Sequence, residues 1–404
     1  MSIDVRGVRP EELDDLVRSV AAGFGGHIND RDLALERLVL EPERTVAATD
    51  GEAFVGGATA CTMALSVPGA IVPSAGITSV SVLPTHRRRG ILTRMMRRIV
   101  DDLREREPVS MLWAAEGGIY GRFGYGMATR AANLKLGRQH TAFRPGHRSS
   151  GTMRLVPRTE AMKAIPPLYD RVAAVQPGFV GQTDAWTDYR FSIHDFLEDG
   201  FGKEYFYAIH VGPEGRDGYV VYRTKADWSG EEGHKLRVEE LVATNPGAYA
   251  DLWRYVFDVD LMETTLAPDR FPQEPLLHLL ADVNPLKLEL LDGLWVRLIR
   301  LGEALEARRY ASEGRLVLEV DDGFCPWNAG RHELVVGPGG AACRPTDAEP
   351  ELSITAQELG SVYLGGVSFR ELARAGRLQA PPDVLARADA MFGWDPPPWC
   401  PLVF

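Results

Sequence analysis

The sequence predicts a mixed α/β fold spread over more than one domain, and three observations support this prediction. The chain has 404 residues, whereas a domain usually holds about 150. Short stretches of β-type residues alternate with stretches of helical apolar periodicity, which indicates strands alternating with helices. With 45% hydrophobic and 25% charged residues, the composition is that of an ordinary globular protein and excludes collagen-like, fibrous and largely disordered chains.

The first part of the chain predicts two helices followed by a sheet. We expect helices over residues 14–22 and 30–40 and strands over residues 45–48, 53–67 and 76–83. No charged side chain occurs in residues 55–83, which is longer than the ~20 residues of a membrane span. Pro68, Gly69 and Pro73 interrupt this stretch, so it predicts adjacent buried strands rather than a membrane span.

A polar break over residues 137–151 predicts the end of the first domain. The predicted domains are residues 1–145, 146–300 and 301–404. In the second we expect strands over 205–211, 218–223 and 236–243 and a helix over 248–257, and in the third a helix over 303–309, strands over 315–320 and 332–336, and helices over 356–364, 368–375 and 383–392. The strand, turn and helix of residues 236–257 repeat the order of residues 77–106, and both an internal repeat and coincidence stay open.

Residues 77–106 carry the strongest functional signal. An apolar strand leads into the turn PTHRRRG (residues 84–90) and then into a helix with apolar residues at 91, 92, 95, 96, 99, 100 and 103. The first N–H groups of such a helix have no partners within it, and Gly90 lets the backbone approach a ligand closely. Because arginine side chains also suit phosphate, the segment predicts a pyrophosphate-binding site. The alternative is an exposed basic turn that only caps the helix.

Other phosphate and hydrolase motifs are absent from the sequence. No Gly-x-x-x-x-Gly-Lys-Ser/Thr occurs, and no Gly-x-Gly-x-x-Gly follows a strand. Neither His-Glu-x-x-His nor Gly-x-Ser-x-Gly occurs. The mononucleotide P-loop and dinucleotide-binding classes therefore lose their signatures.

Charge and cysteine content restrict the partners. The net charge of −11 disfavours binding to nucleic-acid phosphate and favours small cationic partners. The four cysteines are too widely spaced for a zinc knuckle and too few for a disulfide framework, so we expect reduced thiols and no metal site. Residues 1–12 lack the apolar core of a signal peptide, which predicts a cytoplasmic protein.

The strand at residues 80–82 and the sequence RRRGIL at 87–92 resemble the acetyl-CoA pyrophosphate motif of the GNAT acetyltransferase superfamily. The usual form of this motif is Gln/Arg-x-x-Gly-x-Gly/Ala. Arg87 matches its first position and Gly90 its fourth, whereas Leu92 replaces the small sixth residue.

Two further segments resemble one family within that superfamily, the enhanced intracellular survival (Eis) acetyltransferases. The sequence EGGIYGRFGYG at 116–126 is similar to the segment around the catalytic tyrosine of that family, and residues 364–378 look like its C-terminal sterol-carrier-type domain. The resemblance implies an α/β (α+β) chain with two tandem GNAT-type domains, the second degenerate, followed by a sterol-carrier-protein-like α/β domain. It also implies acetyl-CoA as cosubstrate and a homohexamer built from two trimers.

The resemblance also implies roles for individual residues. Tyr120 matches the general acid of the family, and the chain-terminal carboxylate, here on Phe404, matches its general base. The cofactor-binding residues that it implies are Val80, Ser81, Val82, Arg87, Arg88, Arg89, Gly90, Ile91, Leu92, Thr93, Ala115 and Glu116.

The residues themselves are compatible with that chemistry. A tyrosine, with an ordinary pKa near ~10, can give a proton to a departing thiolate, whose thiol has a pKa near ~8.5. Tyr125 is the competing tyrosine in the same glycine-rich loop. After Asp395 the tail contains four prolines and no charged side chain, so we expect it to dock, either beside the catalytic tyrosine or on its own domain.

The sequence therefore predicts acetyl-CoA-dependent N-acetylation of an amine, either an aminoglycoside-like multiamine, a polyamine or a protein lysine. The alternative is a catalytically inactive binding protein that carries an apolar ligand in its C-terminal domain. Members of the family that acetylate multibasic amines line the acceptor pocket with acidic and aromatic side chains. Here Gly25, Gly26, His27 and the penultimate Val403 take such positions, which predicts a narrower or different amine specificity.

Overall fold

The computed structural model describes residues 3–181, 183–192, 200–230 and 232–404. The helices within these ranges are α1 (Leu13–Gly23), α2 (Asp30–Val39), α3 (Ile91–Leu103), α4 (Arg158–Ala173), α5 (Asp184–Arg190), α6 (Pro246–Asp258), α7 (Leu276–Leu279), α8 (Leu301–Ala307), α9 (Ala356–Val362), α10 (Phe369–Arg374) and α11 (Pro382–Phe392).

The strands in the described ranges build three sheets. They are β1 (Asp4–Gly7), β2 (Thr45–Asp50), β3 (Ala53–Val67), β4 (Ala70–Val82), β5 (Val109–Trp113), β6 (Gly126–Met127), β7 (Arg130–Gly137), β8 (Thr152–Val156), β9 (Val180–Gly181), β10 (Phe206–Gly212), β11 (Gly215–Lys225), β12 (Lys235–Ala243), β13 (Thr264–Arg270), β14 (Lys287–Asp292), β15 (Leu294–Leu298), β16 (Gly314–Asp321), β17 (Gly330–Gly337), β18 (Gly340–Pro345) and β19 (Leu352–Thr355).

The first sheet has the order β1-β2-β3-β4-β5-β15-β6, with β9 pairing with β3. β4 and β5 run parallel, because the chain crosses between them through α3. The apolar face of α3, including Ile91, Met95 and Ile99, is buried against this sheet. Burying each such side chain contributes about 1.5–3 kcal/mol, so this face fixes the helix on the sheet.

The first two sheets exchange strands, and β9 of the first sheet also falls in the predicted second domain. The second sheet has the order β14-β7-β13-β12-β11-β10-β8, so it includes β7 from the predicted first domain. The first sheet takes β15, whose residues 294–298 fall in the predicted second domain. The boundaries at 145 and 300 stay predictions, and the two sheets are linked across them.

The third sheet, β18-β17-β16-β19, belongs to the C-terminal part of the chain. Its core is continuous with that of the first sheet, because one buried cluster includes Leu65, Val296, Leu316 and Leu402. The C-terminal part therefore packs directly on the sheet that carries α3.

Several predicted elements are present at nearly the predicted positions. The strand predicted over residues 53–67 is β3, and the uncharged stretch 55–83 forms the antiparallel pair of β3 and β4. α4 was not among the predicted helices, and it forms although Pro166 and Pro167 lie within it and proline in a helix interior usually costs about 3 kcal/mol. All four cysteines are free and buried.

The model places no membrane-spanning helix in the part of the chain that it describes. Every helix there is too short or too polar to cross a bilayer.

Candidate active site

β4 and β5 separate beyond a short paired stretch, and a cavity opens at this point. The parallel ladder joins Ser74–Ile77 of β4 to residues 109–112 of β5. Further along β4, the pairing with β3 shifts register between Gly57 and Thr59, and Ser79 adopts a left-handed backbone with φ 54°. A bulge of this kind bends a strand and changes the direction of its following residues. The end of β4 is thereby directed away from β5.

The helix α3 begins at the same edge of the sheet with its N–H groups uncapped. Gly90 precedes it with φ 73° and no side chain caps the helix. The N–H of Arg94 is the first to bond back, to the oxygen of Gly90 at 3.2 Å. The N–H groups of residues 91–93 therefore lack partners within the helix and are suited to bind an anion.

The arginines of the basic turn have different environments. Arg87 braces the turn, since its Nη2 donates to the oxygen of Gly23 at 2.9 Å and its Nε to the oxygen of Val82 at 3.2 Å. Arg88 lines the cavity with a left-handed φ of 62°, and Arg89 is exposed and outside the lining. His86, which the sequence placed beside the arginines, lies 3.3 Å from the carboxylate of Asp50.

One cavity of about 650 Å³ collects most of the predicted cofactor residues. Its lining includes Val80, Ser81, Val82, Arg87, Arg88, Gly90, Ile91, Leu92, Thr93, Ala115 and Glu116, together with the predicted acid Tyr120. Of the predicted set, Arg89 and Phe404 lie outside this lining.

Tyr120 lies on a 3-10 helix, Tyr120–Phe123, at the wall of the cavity. Its side chain is 8% exposed and makes edge contacts with Phe123 and Tyr125. Burial, with a smaller contribution from the Glu116 carboxylate, raises the pKa of Tyr120 above its usual value of 10.0. The hydroxyl therefore carries its proton at neutral pH.

The side chain of Tyr125 lies in the hydrophobic core and not in the cavity. It is fully buried, and its hydroxyl lies 2.7 Å from the Oγ of Ser110. Burial raises the pKa of Tyr125 well above the usual range. Tyr125 is absent from the lining of the cavity, so of the two tyrosines only Tyr120 lines it.

The C-terminal tail is docked. Trp113, at the end of β5, donates from Nε1 to the oxygen of Leu402 at 2.7 Å. A Cβ on Gly76 of β4 would lie 2.9 Å from the ring of Phe404. Trp399 anchors the tail on the second sheet through a 2.8 Å bond from its Nε1 to the oxygen of Asp269. The chain end thus lies beside β4 and β5, next to Gly76 and Trp113.

The cavity fits an elongated, phosphate-bearing ligand with amide groups. The Oγ of Ser81 is buried without a hydrogen-bond partner in the protein. This hydroxyl is therefore available to form a hydrogen bond with a ligand. Arg88, which lines the cavity, has no ion-pair partner in the described residues. A buried hydroxyl, free helix N–H groups and this arginine are groups that can bind the amides and phosphates of such a ligand.

The equivalent position of the second sheet lacks these features. The helix α6 follows β12 as α3 follows β4, but the side chain of Asn245 caps it by accepting from the N–H of Ala248 at 2.9 Å. No arginine occurs in residues 244–248. The second sheet therefore repeats the architecture without the anion-binding chemistry.

Sequence reasoning missed one wall of the cavity. Gly23 and Phe24, at the end of α1, line it, and Gly23 packs so closely on Ser81 that a Cβ there would overlap the hydroxyl. The sequence marks Gly23 only as one glycine among 41, and its position depends on how α1 packs across the sheet.

A glycine pair tests whether the turn before α3 binds the ligand. Gly90 and Gly376 both have positive φ, 73° and 70°, and a Cβ at either would meet nothing within 4 Å. We therefore expect Gly90→Ala and Gly376→Ala each to lower the free energy of unfolding by about 1–2 kcal/mol. Only Gly90→Ala should weaken CoA binding, by about tenfold. This is the loss of affinity expected when one hydrogen bond to a charged phosphate is lost. Calorimetric titration with CoA measures this, and equal affinities in the two variants would contradict it.

Comparison with known proteins agrees with this architecture. Models of an acetyltransferase (GNAT) domain match residues 4–128 and 178–298, and a model of a sterol carrier protein domain matches residues 301–401. The fold and the cavity thus define a tandem GNAT acetyltransferase with a sterol-carrier-like domain, a class that uses acetyl-CoA.

The relatives identify the family within this class. N-acetyltransferase Eis of Mycobacterium tuberculosis is 37% identical over 395 residues, which cover 93% of each chain. An uncharacterized N-acetyltransferase of Streptomyces avermitilis is 37% identical over the full length of both chains. The crystal structure of Eis1 from Mycobacterium abscessus is 31% identical, with a TM-score of 0.85 over the full length of both chains. This chain belongs to the Eis family of N-acetyltransferases.

The predicted family, fold class and enzyme class are confirmed. Because the relatives are named enzymes, the alternative of an inactive carrier protein is set aside. In the described residues, no group of three or more His, Cys, Asp and Glu side chains is arranged to hold a metal ion.

Proposed function

We propose that the protein transfers the acetyl group of acetyl-CoA directly to an amine, with Tyr120 as general acid and the terminal carboxylate of Phe404 as general base. The observation that carries this proposal is the single cavity that joins the uncapped N-terminus of α3 to the buried hydroxyl-bearing side chain of Tyr120. A cavity that contains both a phosphate-binding site and a proton donor is suited to bind and react a coenzyme A thioester.

Most of the predicted cofactor residues have a proposed task. The N–H groups of Ile91, Leu92 and Thr93 and the side chain of Arg88 bind the phosphates. The strand residues 80–82 bind the pantetheine arm, for which the unpaired Oγ of Ser81 is available. Ala115 and Glu116 contact the same molecule from the end of β5.

The proposed chemistry needs one proton delivered and one removed. Bound acetyl-CoA supplies a thioester for the amine to attack, and its sulfur leaves as a thiolate that takes up a proton to become the thiol. Tyr120 delivers that proton, because its raised pKa keeps the hydroxyl protonated. The Phe404 carboxylate removes the proton of the attacking amine, and the docking of Leu402 on Trp113 fixes the chain end.

The proposed acceptor is a cationic amine, which includes aminoglycoside-like multiamines, polyamines and protein lysines. The net charge of −11 attracts such molecules. The penultimate Val403 is apolar and 53% exposed. The absence of a carboxylate at this position favours a narrower range of amines. A homohexamer in the cytoplasm remains part of the proposal.

Thiol release with acetyl-CoA and a panel of amines tests the proposed function. The panel should contain a multiamine, a polyamine and a lysine peptide, with a neutral alcohol of similar size as the control acceptor. We expect release with at least one amine and none above the hydrolysis background with the alcohol. Folded protein that binds CoA but acetylates no amine in the panel would contradict the proposed acceptor class.

The pH dependence of kcat tests the role of Tyr120. A general acid acts in its protonated form, and a raised pKa keeps that form present to higher pH. We expect kcat to show no alkaline fall with a midpoint below pH 10. Glu116→Gln removes the carboxylate that contributes to the shift, so any alkaline fall should move to lower pH. A midpoint below pH 10 in the parent would contradict the assignment.

A further inference from the structure

The 3-10 helix that carries Tyr120 is fixed at its C-terminal end by a buried arginine. Arg297, on β15, donates from Nη1 to the backbone oxygen of Phe123. The arginine is 0% exposed. Gly124 follows with φ 81°, and a side chain there would overlap the guanidinium. The backbone one turn beyond Tyr120 is therefore shaped around Arg297.

The orientation of Arg297 depends in turn on a residue of the C-terminal part of the chain. Its Nη2 donates to both carboxylate oxygens of Asp322, at 2.9 and 2.8 Å. Asp322, just after β16, also accepts from the backbone N–H of Cys325 at 2.8 Å and from the Nδ2 of Asn328 at 3.2 Å. Asp322 is 3% exposed. Two charge-assisted hydrogen bonds from Nη2 to one buried carboxylate, together with the bond from Nη1 to Phe123, hold the guanidinium in place.

The same segment also packs on α9, from the C-terminal part of the chain. A Cβ on Gly121 would lie 2.7 Å from the Nε2 of Gln357, and one on Gly126, which follows the 3-10 helix, would overlap the backbone of Gln357 and Ser361. The segment that carries Tyr120 thus contacts both Arg297 and α9, and both contacts depend on residues after position 300.

We infer that Arg297 and Asp322 are positioning residues for the acid Tyr120, and that the sterol-carrier-like domain serves catalysis by fixing the tyrosine's helix. The Arg297 side chain lies outside the cavity lining, so it acts through the Phe123 carbonyl rather than on the reactants. This inference rests on the proposed role of Tyr120.

A double-mutant cycle between Arg297 and Tyr120 tests this inference, because two residues that act through one group have non-additive effects. Arg297→Lys keeps the charge beside Asp322 but shortens the side chain and loses the bond to the Phe123 oxygen. We expect it to lower kcat about tenfold with an unchanged KM for acetyl-CoA, as for an interaction that matters only in the transition state. In the Tyr120→Phe background the same substitution should change kcat by less than about twofold.

Arg44→Lys is the matched control. Arg44 forms a bidentate, buried pair with Glu107 at 2.7 and 3.0 Å, but it does not contact the Tyr120 helix. It should cost similar stability and leave kcat unchanged. Where Arg297→Lys does not fold, Asp322→Asn replaces it in the cycle, because the amide keeps the size of the carboxylate and loses its charge.

The outcomes separate this inference from the proposed function. If Tyr120→Phe does not lower kcat, the role of Tyr120 and the positioning role both fall. If Tyr120→Phe lowers kcat and Arg297→Lys lowers it by the same factor in both backgrounds, only the positioning role falls. If Arg44→Lys lowers kcat as much as Arg297→Lys does, the loss in Arg297→Lys reflects lower stability only, and the positioning role falls.

Discussion

Replacing Tyr120 by phenylalanine should lower kcat by about 10²–10⁴-fold, the usual contribution of a general acid. The ring lies 8% exposed against Phe123 and Tyr125, so the substitution keeps the packing and removes only the hydroxyl. Affinity for CoA should not change, because the phosphate-binding groups of α3 are untouched. Steady-state thiol release gives kcat, and calorimetric titration with CoA gives the affinity.

Tyr125→Phe is the matched control for this result. It removes the same atom five residues along the chain, where the hydroxyl is bound to Ser110 and absent from the cavity. We expect a loss of about 1–3 kcal/mol in the free energy of unfolding, because Ser110 is left buried with an unpaired hydroxyl, and little change in kcat. A Tyr120→Phe variant with parental kcat, or a Tyr125→Phe variant with an equal catalytic loss, would contradict the assignment of the acid.

Local chemistry made the centre of the candidate site predictable from sequence. The turn at residues 84–90 and the apolar periodicity after Gly90 predicted a helix that begins at Ile91, and α3 begins there. Propensity and periodicity act over a few residues, so they reveal where a helix begins and which N–H groups it leaves free. The phosphate-binding part of the cavity depends only on such local features.

Contacts between distant segments could not be predicted in the same way. Residues 130–137 form β7, which is not among the predicted strands, and nothing in this stretch selects the second sheet as its partner. Gly23 lines the cavity and Arg297 supports the Tyr120 helix only because strands far apart in sequence pair in the fold. At α4, burial of residues such as Ile165 and Leu168 outweighs the cost of two internal prolines.

The resemblance supplied what local chemistry did not, namely a role for the chain end. The sequence alone indicated an apolar, proline-stiffened tail that should dock, and left open where. The tail is buried at Cys400 and Leu402 and bound to Trp113 at the end of β5. That position is consistent with a catalytic carboxylate but leaves its function to experiment.

Moving the terminal carboxylate should therefore cost about 10²-fold or more in kcat, the lower range for general-base catalysis. Adding one glycine after Phe404 keeps every side chain and shifts the carboxylate by one residue, about 3.5 Å. Deleting Val403 and Phe404 places it on Leu402, whose carbonyl oxygen is held by Trp113. Both variants should bind CoA as the parent does and lose rate. Val403→Ala is the control, because it leaves the carboxylate in place while trimming a 53% exposed side chain at the acceptor position, so it should change the KM for the amine and leave kcat near the parental value. Since the two variants displace the carboxylate in opposite directions along the chain, parental kcat in either one would show that the base lies elsewhere.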